Sequence, residues 1–85
     1  MPDVIGKRIK RLRTARRLSL RALASLAQVP VSSISGVEVG TRSGRRLSAE
    51  TCARLAKALG VTVDALVSLD DEEDEALRPV VDAVA

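Results

Sequence analysis

The sequence predicts an all-α fold of five short helices. Two observations carry that prediction. Apolar residues recur at three-to-four spacing in five separate segments, the signature of helices with one buried face. Residues that start and stop helices stand between those segments. Composition agrees: the chain holds 12 Ala and 11 Leu among its 85 residues against 5 Gly and 3 Pro, and no alternating strand pair stands out.

The first 17 residues read as one amphipathic helix. Val4, Ile5, Ile9 and Leu12, with Ala15 or Arg16, line one face, and Pro2 suits the first turn. Lys7, Arg8, Lys10, Arg11, Arg13 and Arg17 fill the remaining circumference. Ser19 is an N-cap for a second helix, Leu20 to Ala27, whose Leu20, Leu23, Ala24 and Ala27 point inward. Gln28 and Val29 turn the chain, and Pro30 belongs at the start of a third helix because it breaks a helix interior. That helix is VSSISGVE, residues 31–38, with Ile34 and Val37 inward and Gly40 as its end. Residues 40–47, GTRSGRRL, have no periodicity and read as a loop. Ser48 caps a fourth helix with Glu50 in its first turn and Cys52, Leu55, Ala56 and Leu59 as its apolar stripe. Gly60 ends it. Thr62 caps a short fifth helix with Asp64 in its first turn and Ala65, Leu66 and Leu69 facing in.

Charge divides the chain. The net charge is +3, but residues 1–69 hold 13 Lys and Arg against 4 acids, a balance of +9. Residues 70–85 hold one Arg against 7 acids, a balance of −6, and open with DDEEDE. The expected organisation is a basic helical domain over residues 1–69 and an acidic C-terminal tail over 70–85, disordered or contributing to dimerisation. Other exclusions follow from what is missing. Without His the common zinc-finger and triad chemistries fall away, and one Cys makes no internal disulfide. No catalytic residue, cofactor or metal is expected. Without aromatic residues there is no stacking platform for single strands. No apolar run nears the roughly 18 residues of a membrane span, and MPDVIGKRIK lacks the apolar stretch of a signal peptide, so a cytoplasmic protein with no membrane partner is expected.

Two short helices joined at Gln28 and Val29 form a helix-turn-helix arrangement, in which the second helix enters the major groove. The strings LSLRALASLAQVPVSSISGVEVG and SAETCARLAKALGVTVDALV resemble the Cro/C1-type, Xre-like family of bacterial and phage regulators over residues 5–67. The resemblance implies a compact five-helix lambda-repressor-like domain in which Leu23, Ala24, Ile34, Val37 and Glu38 form the framework of the motif. It implies a double-stranded DNA partner and a homodimer that reads two half-sites, with the dimer surface expected near the fourth and fifth helices and the stretch holding Val80, Val81 and Val84. Groove or base contact falls to Val31, Ser32, Ser33, Ser35 and Gly36. Phosphate contact falls to Arg17, Arg21, Arg42, Arg45 and Arg46, with Lys7, Lys10 and Arg11 as further candidates.

Departures from the family pattern bear on specificity. Leu20 replaces the glutamine that commonly follows Leu-Ser, Gln28 holds a turn position often given to glycine, and Gly36 replaces a long polar residue. Val31 can touch a thymine methyl and the serines can each make single hydrogen bonds, but none offers a bidentate base contact. Glu38 has two readings, a pair with Arg42 or Arg54 or a solvated acid, and Gly36 has two, close approach of a neighbour or drift. Cys52 is expected to be buried and inert. The acidic tail is expected to be free, to lie over its own basic domain, or to meet a protein partner. The leading function is a sequence-specific transcriptional regulator, a repressor. The alternatives are an antitoxin of a toxin–antitoxin pair and a protein-interaction module with weak, non-specific DNA binding.

Overall fold

The computed structural model describes residues 3–68, and it is α-helical throughout: α1 Val4–Ala15, α2 Leu20–Ala27, α3 Val31–Val39, α4 Ala49–Leu59 and α5 Val63–Val67, with one 3₁₀ turn at Gly44–Arg46 inside the expected loop. Residue Pro2, Leu69 and the acidic tail with its valines lie outside the described residues.

Local chemistry starts four of the five helices. The side chains of Asp3, Ser19, Ser48 and Thr62 accept from the amides of Gly6, Ala22, Thr51 and Ala65 at 2.9 to 3.0 Å. Each such cap contributes about 1 kcal/mol. Only α3 begins without one, because Pro30 stands at its N-cap. α3 and α4 end in left-handed residues, Gly40 at φ 93° and Gly60 at φ 75°, where glycine carries no steric cost. Gln28 also adopts φ 58° and closes the turn, and the Val29 amide behind it donates to Ala24 O at 3.1 Å. Gln28 thus holds, at a cost of about 1 kcal/mol, a left-handed backbone that glycine would adopt freely.

α1 packs on α3 and α5, α2 on α3 and α4, and α4 on α5. Their shared interior is aliphatic: Ile9, Leu23, Ile34, Val37, Leu59 and Leu66 are fully buried, with Ile5, Leu12, Ala24, Ala27, Leu55 and Ala56 around them. The first helix is shorter than its sequence pattern, since Asp3 caps it and Ala15 and Arg16 are exposed beyond Leu12. Arg8 corrects the expected circumference. It is fully buried, and its Nη1 donates to Leu66 O at 3.1 Å and to Ser68 O, so the C-terminal end of α5 rests on a charge from α1. The signal was present, because Arg8 falls three residues after Ile5 and four before Leu12, inside the apolar stripe.

Two glycines let backbones meet. A Cβ on Gly6 would lie 2.2 Å from Val37 O, so α1 and α3 cross there with nothing between them. A Cβ on Gly44 would lie 2.6 Å from the Ile5 side chain. Asp3 holds this second junction: one carboxylate oxygen caps Gly6, and the other accepts from Ser43 Oγ at 3.0 Å and Gly44 N at 2.9 Å. Burial alone would raise the Asp3 pKa, but the bonds from Gly6, Gly44 and Ser43 and the charge of Arg45 outweigh it and leave the pKa lowered. A depressed acid stabilises the fold above its unfolded pKa and loses that contribution as pH falls through the folded value. Asp3→Asn is accordingly expected to cost about 1 kcal/mol near neutral pH. The deficit relative to the native chain should shrink below about pH 4. Urea unfolding followed across that range checks both.

Candidate nucleic-acid interface

The motif is built on α2 and α3. Ala24 is 5% exposed and lies among Leu23, Ile34 and Val37, each fully buried, so the inward face of α3 is committed to the core. Its outer face is what remains. Val31 and Ser32 are exposed at the uncapped N-terminal end, and Ser33 and Ser35 are half-buried along the same helix. An uncapped helix start also leaves its first amides available to an acceptor.

Glu38 holds α3 in place. Its carboxylate receives Arg13 Nε at 2.8 Å and Nη2 at 2.9 Å, a two-pronged contact between α3 and α1. The same guanidinium donates through Nη1 to Leu18 O at 2.8 Å, tying in the segment that leads to α2. The Glu38 side chain is only 5% exposed. The Arg13 pKa is raised, first by this hydrogen bond and then by the charge of Glu38, against the opposing effect of burial. The acid is thus a structural partner, and its partner is Arg13 in place of the expected Arg42 or Arg54. Arg54 instead bonds Gln28 O at 3.0 Å and pairs with Glu50 at 2.9 Å one turn earlier, which fastens α4 to the turn of the motif. That second pair is exposed and contributes about 0.5 kcal/mol or less.

Gly36 serves the loop that follows α3. Its carbonyl accepts from the amides of Gly40 and Arg42 at 3.1 and 3.0 Å and from Thr41 Oγ1 at 3.3 Å. A Cβ there would sit 3.2 Å from Arg42 Cβ, so the close-approach reading is the one the geometry supports. Arg42 therefore lies directly against α3, exposed, beside the face that Val31 and Ser32 begin. Arg45 and Arg46 are exposed on the 3₁₀ turn, with Arg45 close enough to Asp3 to favour its charged form. Arg17 and Arg21 are exposed on either side of the Ser19 cap, and Lys7, Lys10 and Arg11 are exposed on α1.

Residues 9–66 match the family described as helix-turn-helix. The chain belongs to the Cro/C1-type helix-turn-helix family. The members of this family are DNA-binding transcription regulators, and the matched residues take in α2, α3 and α4 whole together with most of α1 and α5. Two solved structures resemble this domain. One is the master regulator for biofilm formation SinR in complex with DNA, at 31% identity and a TM-score of 0.70, covering 76% of this chain and 100% of that one. The other is the SinR protein/SinI protein complex, at 30% identity and a TM-score of 0.73, covering 95% of this chain and 74% of that one. No curated protein sequence matches the chain.

Arg13, Arg8 and Asp3 were the residues that sequence reasoning left unassigned or misplaced. Asp3 carried a readable signal, an acid directly before an apolar-periodic segment. Arg13 stands four residues after Ile9, at the edge of the buried stripe, and nothing local distinguishes it from the exposed arginines around it. Cys52 is buried, and burial pushes its thiol up and away from the reactive thiolate. Among the described residues no helix is long and apolar enough to cross a membrane.

Proposed function

We propose that this helix-turn-helix regulator binds double-stranded DNA selectively as a homodimer and represses transcription from the site it occupies. The observation that carries the reading is the arrangement around α3: its N-terminal end is exposed, its C-terminal end is anchored to α1 by Arg13 and Glu38, and Arg42 packs against it at Gly36. A rigid helix with a cation packed against it can enter a major groove while the arginine meets a phosphate. Similarity to SinR, solved in complex with DNA, supports the same partner. One short recognition helix gathers few contacts, which supports pairing of two subunits on a two-fold site. A bacterial or phage cytoplasm is the compartment this role requires.

Selectivity is modest in this reading, because Val31 and the serines supply single contacts of the weaker kinds. Selection of bound duplexes from a random pool, followed by footprinting, tests it directly. A shared two-fold sequence is the expected outcome, and enrichment of nothing would turn the reading to non-specific binding. Arg42→Ala is expected to weaken binding evenly across sequences and to lower the slope of log affinity against log salt by about one. Titrations at several salt concentrations measure both. A protein partner is the second reading, favoured by the short side chains of α3 and by similarity to SinR in its complex with SinI.

A further inference from the structure

An apolar cleft of about 390 Å³ opens on the side of the domain where α1, α4 and α5 meet. Ile5 and Cys52 lie deep in it, and Leu47, Val63 and Val67 form its walls. Arg45 supplies the charge among its lining residues. Val63 is 39% exposed, a large apolar side chain left in water on a short helix. Covering it with further apolar side chains would remove that area from water.

We propose that the apolar end of this same chain, residues 79–85, occupies the cleft. Position argues for it first. Val67, a wall of the cleft, is the last residue of α5, so the chain leaves the described domain at the cleft itself. Residues 69–79 separate Ser68 from Val80, and that length reaches at most about 40 Å when extended, ample to return to the opening. Composition argues for it next. PVVDAVA offers three valines and two alanines to a surface of Ile, Leu, Val and Cys. Charge completes the fit: DDEEDE at 70–75 leads toward a cleft whose rim carries Arg45, on a domain with a balance of +9. A short tether supplies its own end at an effective concentration of about a millimolar, so the cis segment outcompetes a second copy at ordinary protein concentrations. This inference does not rest on DNA binding, but it takes the cleft and these valines out of the dimer surface expected near α4 and α5, so the two compete for one face.

Cys52 is the only cysteine in the sequence and lies in the cleft, which makes it a reporter of occupancy. In the full chain its reaction with a neutral aromatic disulfide is expected to accelerate by about ten-fold or more when Val80, Val81 and Val84 are all changed to Asp, with helix content by circular dichroism unchanged. Equal rates in the native and variant chains would overturn the proposal. Nuclear Overhauser contacts in the unaltered chain provide a second measurement that needs no variant. Methyl contacts from Val80, Val81 or Val84 to Ile5 and Val63, within one labelled molecule, are expected. Absence of these contacts overturns the docking, and contacts found only between differently labelled molecules overturn the choice of the same chain as occupant.

Discussion

Glu38→Ala is expected to lower the stability of the domain by about 3 kcal/mol, because it strips a buried guanidinium of its counter-charge. In the native chain Arg13 spends two of its donors on Glu38 and a third on Leu18 O, at a site where the acid is 5% and the base 13% exposed. Removing the acid leaves the cation desolvated with one carbonyl. Small domains of this size hold only about 5 kcal/mol in reserve, and 1 kcal/mol moves the melting temperature by about 4–8 °C. The variant should therefore melt more than 10 °C below the native chain in a calorimetric or circular dichroism scan. Replacing both members together, Arg13→Met with Glu38→Leu, is expected to recover much of the loss, since an apolar pair removes the buried charge along with its partner. A Glu38→Ala loss below about 1 kcal/mol would show that the pair is solvated in solution. The DNA affinity of Glu38→Ala is expected to fall as well, because the same contact orients α3 against α1 and the approach to α2.

Gly6→Ala is the second large effect, and its sign is the informative part. Gly6 lies inside α1, where helix propensity alone predicts that alanine stabilises by about 1 kcal/mol. The tertiary structure predicts the opposite. The added Cβ would fall 2.2 Å from Val37 O and 3.3 Å from Val37 Cγ1, and the first of these is backbone of α3. Relief requires the two helices to separate by roughly 1 Å, which opens the contacts of Ile5 and Ile9 with Ile34 and Val37; overpacking of this kind costs about 3 kcal/mol. Urea unfolding of the variant decides between the two predictions. A more stable Gly6→Ala chain would mean that α1 and α3 do not cross at this distance.

The readable parts of this fold are those written over short stretches of chain. Ser19, Ser48 and Thr62 act as caps, as their positions indicated, and Gly40 and Gly60 end the helices they follow. Ala24, Ile34 and Val37 meet in the core because helical spacing had already placed them on one side of their helices. Arg8 was misread for a related reason: spacing put it in the stripe, but its charge argued for solvent, and only the carbonyls at the end of α5 resolve that conflict. At the candidate interface helical spacing left Val31 and Ser32 off the apolar side of α3, and both are exposed. The sequence did not show that Gly36 accommodates Arg42, because that contact depends on how the loop closes after α3.

By itself the sequence determined five helices, the caps of three of them, an aliphatic core, the family and a basic stretch followed by an acidic one. All of these depend on composition or on spacings of a few residues. The tertiary structure decided where the polar groups of that domain go. Arg13 reaches Glu38 across 25 residues, Asp3 reaches Gly44 across 41, and Arg8 reaches Leu66 across 58. Gly6 belongs with these, for its reason lies in Val37 and not in α1. A helical period carries no information about which distant carboxylate or carbonyl will stand opposite a given arginine. That choice is made only when the packed apolar faces bring the helices together.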